Sequence, residues 1–182
     1  MPTNTADARV SRTRAALVAA VEEVLEQGAW SELTIGTLCA RAQVSRPTFY
    51  QHFSSTADLL GVTIRHRLDE ARARMCGAPD GPEVIAAALT RLHAEREEYV
   101  RLAQEPTVYV QVEAAFEAWL ADQVRADFPE AGSVAVSYAA GGIARVMGGW
   151  LASGASDAER PSPEELARSL RALNRAVLGT SD

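Results

Sequence analysis

Apolar residues recur at three- and four-residue intervals along almost the whole chain, and the alternation of a half-buried strand is nearly absent. The spacing predicts a first helix from about Val10 to Gln27, with Leu17, Val18, Val21, Val24 and Leu25 as its buried stripe and Gly28 as its stop. Thr34 then caps a short second helix, in which Ile35, Leu38, Cys39 and Ala42 keep helical spacing. "QVS" is a tight connection. Ser45 caps a third helix with Arg46 and Pro47 in its first turn, where proline removes no helical hydrogen bond. Phe49 and Phe53, four apart, point inward. Ser55 precedes Asp58 by three, a weak capping box, and a long helix follows to about Met75.

"CGAPDGP", residues 76 to 82, reads as a loop. A helix from about Glu83 to Gln104 carries Val84, Ala88, Leu92 and Leu102 on its apolar side. Pro106 opens another, with Val108, Val112, Phe116, Trp119 and Leu120, and "FPEAG" ends it. The next helix spans about Ser133 to Ala152, followed by the loop "SGASDAERPSP". The clearest helix start is Ser162-Pro163-Glu164-Glu165: a capping residue, a proline at the first helical position and a capping-box glutamate in order. Leu166, Leu170, Leu173 and Val177 form that helix's stripe, and Gly179 closes it. About eight helices result, without internal repeats: an all-α protein.

Residues 1 to 8 carry no apolar run and read as a flexible N-terminus without a leader. Residues 134 to 152 are the least polar stretch, but Arg145 and the glycines Gly141, Gly142, Gly148 and Gly149 make them a poor membrane span. Cys39 and Cys76 lack metal-ligand spacing, and no cofactor or metal is expected. A cytoplasmic protein with no membrane partner is the expectation.

Charge changes the picture at one place. The chain has a net charge of −6 and no lysine; all 18 of its basic residues are arginine. A uniformly basic surface is excluded, yet the 25 residues between Glu32 and Asp58 contain no acid, where the average composition would place about three. That window holds the second and third helices.

Two short helices joined by about three residues and braced by a longer one describe a helix-turn-helix, whose second helix enters the DNA major groove. With Phe49 and Phe53 turned inward, Arg46, Pro47, Thr48, Tyr50, Gln51 and His52 surround the outer side of the third helix. They offer donors for phosphates and groups for base edges or a thymine methyl. The helix starts at Thr34, Ser45 and Ser55 present backbone N–H groups suited to phosphate.

"LTIGTLCARAQVSRPTFYQHFSSTADLL", residues 33 to 60, resembles the DNA-binding signature of the TetR family of bacterial transcriptional regulators. "YAAGGIARVMGGWLASG" and "SPEELARSL", within residues 138 to 170, are similar to the last two helices of one TetR-like subgroup. The resemblance implies an N-terminal helix-turn-helix domain at residues 9–56, with the motif at about 34–53. Residues 57–182 become a helical-bundle domain for ligand binding and dimerisation. It further implies a homodimer on double-stranded DNA, often a repressor, released by a small-molecule effector. Thr34, Ser45, Arg46, Tyr50 and His52 match positions that often touch the DNA backbone; Pro47, Thr48 and Gln51 match positions facing bases. Two departures stand out. Gln43 occupies the turn position that usually holds glycine, and Thr56 stands where the family usually has a lysine.

Other residues are weighed against plain packing. Cys39 reads as core rather than redox sensor, His66 as solvated, and "EREE", residues 95 to 98, as a solvated face. His93, Tyr99, Tyr109, Val112, Phe116, Trp119 and Tyr138 are candidates for a pocket, and equally ordinary members of a helical core. Gly141/Gly148 and Gly142/Gly149, each seven apart, suggest one face closely approached by another helix. With Trp150, Leu166 and Leu170 as anchors, they suggest a dimer interface formed by the last two helices. An enzyme is not expected: three scattered histidines, no paired-carboxylate helix motif and no phosphate loop supply no catalytic constellation. A helical dimer that has lost DNA binding and works through protein contacts is the other rival, raised by Gln43 and Thr56.

Overall fold

In the computed structural model, which describes residues 3–75, 82–153 and 159–179, Leu17, Val21 and Val24 are wholly buried on one face of α1 (Thr3–Glu26). The helix begins earlier than the apolar spacing predicts. Asp7 to Arg12 are all exposed, so no stripe announces this extension. Gly28 ends α1 at φ 62°, with Ala29 N–H donating to Val24 O and Gly28 N–H to Leu25 O, the paired bonds of a Schellman stop. A 3-10 turn (Trp30–Glu32) leads into α2 (Ile35–Arg41), α3 (Arg46–His52) and α4 (Thr56–Met75).

These elements enclose one core: Leu17, Val21, Val24, Leu38, Cys39, Phe49, Phe53, Leu59 and Leu60. Phe49 is among the largest fully buried side chains, and deleting such a ring costs about 3–5 kcal/mol. Leu59 and Leu60 come from α4, so the packing of the N-terminal unit continues across residue 56.

The rest of the chain comprises α5 (Pro82–Ala94), α6 (Arg96–Ala103), α7 (Pro106–Asp127), α8 (Ser133–Ala152) and α9 (Pro163–Leu178). All nine helices and the single 3-10 turn refer to the described residues, which contain no strand. α4 lies along α7, α7 along α8, and α5 along α9. The helix expected over Glu83 to Gln104 is in fact two, parted at Glu95. No glycine or proline marks the break. The next residue makes a distant contact: Arg96 Nη2 donates to Ser153 O, the C-cap of α8, at 2.5 Å. Arg96 is therefore half-buried, not part of a solvated face. The expected loop at 76–82 lies outside the described residues apart from Pro82, as do Cys76, residues 154–158 of the following loop, and the side chain of Val84.

The last helix starts as its sequence indicates. Ser162 Oγ accepts from Glu165 N–H at 3.2 Å, and Glu165 Oε2 accepts from Ser162 N–H at 2.8 Å. Its stripe is corrected: Leu166 and Leu170 are buried, but Leu173 is 58% exposed. Leu166, Leu170 and Trp150 pack with Leu89 of α5 inside this chain, and Trp150 Nε1 donates to Pro161 O at 2.9 Å. They are anchors of the fold within this chain.

Candidate nucleic-acid interface

The turn between α2 and α3 is a second Schellman stop. Val44 N–H donates to Cys39 O at 2.9 Å and Gln43 N–H to Ala40 O at 3.2 Å. This geometry places Gln43 at φ 55°, the one positive φ outside glycine among the described residues. Thr34 Oγ1 accepts from Thr37 N–H and Ser45 Oγ from Thr48 N–H, capping α2 and α3. α4 departs from the expected box: Asp58 N–H donates to Ser55 Oγ, but the Asp58 carboxylate accepts from Ser54 N–H and Ser54 Oγ.

Around α3, Phe49 and Phe53 are buried while Ser45, Arg46, Pro47, Tyr50 and Gln51 are exposed, Tyr50 by 59%. Thr48 and His52 are intermediate, as is Thr56 at the start of α4. The Ser45 and Thr48 hydroxyls lie 2.8 Å apart and bond to each other, which leaves each with less to offer a ligand. Tyr50 meets Phe49 edge-on at 5.6 Å, so its ring is braced while its hydroxyl end stands free of the core. The nine residues singled out from sequence are thus all exposed or half-exposed, Thr34 among the exposed ones.

The nearest carboxylates are engaged elsewhere. Arg41 binds Glu23 at 2.7 Å and Glu32 at 2.6 Å. These hydrogen bonds, Glu32 first, hold its guanidinium pKa above the usual value. Asp58 is occupied at the start of α4. Cys39 sits buried behind α2, and burial raises its thiol pKa.

Sequence reasoning missed three residues here. Arg14, on α1, donates from Nη1 to His52 O at 3.1 Å and lies 4.5 Å over the Phe53 ring. Arg41 knits α1, the 3-10 turn and α2. Gly36 makes room for Arg46, whose Nη2 lies 3.2 Å from where a Cβ would stand. Arg14 was detectable as a cation at i−3 and i−7 of the stripe residues Leu17 and Val21.

Some of the pocket candidates meet in pairs, and Tyr138 stands apart from them. Tyr99 and Tyr109 share a hydroxyl hydrogen bond at 2.9 Å, and Tyr109 donates to Glu113 in a short bond. Burial, then the bond to Glu113, raises the Tyr109 pKa well above its ordinary value. His93 lies against Trp150 at 5.4 Å. Phe116 stacks on Trp119 at 6.3 Å, and Trp119 Nε1 donates to Asp69 of α4 at 2.7 Å. Val112 packs on the N-terminal core, and Tyr138 is 70% exposed.

The glycines of α8 also divide, correcting the single face. Gly148 faces Tyr99, Glu113 and Tyr109, and Gly141 faces Glu117, all within this chain. Gly142 and Gly149 have open space before them.

No helix among the described residues is long and apolar enough to cross a membrane. The pattern describing the bacterial regulatory proteins of the tetR family matches residues 17–62, the span of the core, turn and caps above. No curated protein matches the chain. Solved structures that match include the dihydroxyacetone kinase operon activator DhaS, 17% identical with a TM-score of 0.48 over 92% of this chain and 96% of that one. Another is the fatty acid degradation regulator FadR from Bacillus halodurans, 15% identical with a TM-score of 0.40 over 92% and 95%. With Phe49 and Phe53 inside and an acid-free outer face on α3, residues 17–62 form a helix-turn-helix unit that matches the pattern of the tetR family of bacterial regulatory proteins.

Proposed function

We propose that the protein is a ligand-responsive repressor that binds a palindromic operator as a homodimer in the cytoplasm. The observation that carries the reading is the outer face of α3: Arg46, Pro47, Tyr50 and Gln51 exposed, with no carboxylate between Glu32 and Asp58. Arg46, Tyr50, His52, Thr34, Ser45 and Thr56 are assigned to phosphates, and Pro47, Thr48 and Gln51 to bases. A dimer would set two such helices about 34–36 Å apart, one turn of duplex.

The dimer face is assigned to the outer side of α8 and α9. Val134, Tyr138, Gly142, Val146 and Gly149 recur at three- to four-residue spacing and are all exposed, and Leu173 of α9 is exposed too. An apolar stripe of this kind, interrupted by glycines, suits close approach of a twofold-related helix.

Effector response is assigned to α7. Its Val108 and Val112 pack on the N-terminal core, while Tyr109 and Glu113 meet α6 and α8. A small molecule that shifts α7 within the body therefore moves a helix touching the DNA-binding unit, with a coupling of about 1–3 kcal/mol. The domain division follows the same logic, with residues 9–56 reading DNA and 57–182 sensing and dimerising.

Selection from a randomised duplex pool tests the reading. Enrichment of two inverted half-sites about 10–10.5 bp apart, or a multiple of that, is expected. Failure to enrich any duplex, or enrichment of a single asymmetric site, contradicts it.

A further inference from the structure

We infer that Arg14 is a positioning residue that fixes the C-terminal end of the recognition helix, without itself binding DNA. The inference rests on α3 being the helix that reads DNA. α3 has only seven residues, too few to hold itself in one conformation without tertiary support. Its amino end is capped by Ser45, and its middle is anchored by buried Phe49. The carboxyl end is the vulnerable one, because the last carbonyls of a helix have no partner within it.

Arg14 supplies that partner from α1. Its Nη1 donates to His52 O, the final residue of α3, at 3.1 Å. The guanidinium carbon lies 4.5 Å above the ring of Phe53, the C-cap. Three effects converge on one side chain: an orphan carbonyl is satisfied, a positive charge meets the negative end of the helix dipole, and a cation lies on an aromatic face. Phe53 is 2% exposed, so the clamp is referenced to a fixed point in the core. Two of the proposed DNA-facing residues, Gln51 and His52, lie in the turn it holds. The guanidinium is half-buried and occupied, unlike exposed Arg46.

The test uses full-length Arg14→Met and Arg14→Lys, both assayed well below their melting temperatures. The DNA probe is the duplex selected by the wild type from a randomised pool. In Arg14→Met, affinity should fall about five- to tenfold per half-site, with the slope of log K against log salt unchanged and discrimination at bases read by Gln51 relaxed. The amide of Phe53, which donates to Phe49 O at 2.9 Å, should exchange with solvent at least about fivefold faster, while that of Leu60 in α4 does not change. Arg14→Lys should recover part of both losses, since it keeps the charge without the planar fork.

Unchanged affinity, or a slope reduced by about one per half-site with unaltered exchange, overturns the inference; the latter makes Arg14 a phosphate ligand. If the wild type selects no duplex, the reading of α3 fails independently. The clamp is then judged by the Phe53 amide alone, and unaltered exchange overturns it.

Discussion

The hydroxyl of Tyr99 stands over Gly148: a Cβ on that glycine would lie 2.7 Å from Oη. Tyr99 cannot swing aside freely, because its hydroxyl bonds to Tyr109, which bonds to Glu113. Alanine gains about 1 kcal/mol of helix propensity over glycine, but overpacking costs about 1–3 kcal/mol. Gly148→Ala is therefore expected to lower stability by about 1 kcal/mol, read as a lower urea midpoint. Gly142→Ala, with open space before it in the same helix, should not lower the midpoint of the monomer.

Gly149 lies on the exposed side of α8, in line with Tyr138, Gly142 and Val146. A Cβ there meets nothing within 4 Å in its own chain. Gly149→Leu is expected to leave the helical circular dichroism intact and yield monomers in sedimentation velocity. A dimer of wild-type affinity would remove this face from the interface.

Gln43 holds φ 55° at the C′ position of α2. A left-handed residue with a Cβ costs about 1–2 kcal/mol, and glycine returns part of that gain through its freer unfolded chain. Gln43→Gly should raise stability by about 0.5–1 kcal/mol, with duplex affinity unchanged. A lowered midpoint would mean that the Gln43 side chain supplies a contact of its own.

The fold was largely legible in the chain, for physical reasons that also mark where legibility ended. Leu17, Val21 and Val24, or Phe49 and Phe53, announce themselves because a buried stripe must recur with the helical period. The Ser162–Glu165 box and Gly179 are local signals, and local geometry obeyed them. The break at Glu95 carries no glycine or proline, and the contact beside it joins Arg96 to Ser153, 57 residues away, which no local pattern records. The same holds for Arg14 and His52, 38 apart. Trp150 and Leu166 were legible as buried but not as buried by which chain, because an apolar residue looks alike facing α5 or a second copy. A spacing of seven suggests one face, yet 141/148 and 142/149 are two faces separated by one residue's rotation.

Tyr109 gives the body an alkaline sensitivity. Burial and the bond to Glu113 hold its proton in the folded state above the ordinary value near 10. The unfolded chain releases that proton first, so the stability is fully present below about pH 10 and declines as pH rises beyond it. Tyr109→Phe is expected to lose about 1–2 kcal/mol at pH 8 through the missing donor to Glu113, and to show a shallower decline between about pH 9 and 11. An equally steep decline in the variant would place the sensitivity elsewhere.

If the acid-free face of α2, α3 and the start of α4 lies on duplex DNA, binding must depend on salt. Thr56, where α4 begins, can hydrogen-bond a phosphate but releases no counterion. Fluorescence anisotropy of the selected duplex across a salt series should give a linear fall of log K with log salt for the wild type. Thr56→Lys should give a slope steeper by about one per half-site. Salt-insensitive binding, or a Thr56→Lys slope equal to the wild type's, would contradict the placement of this face on the phosphate backbone.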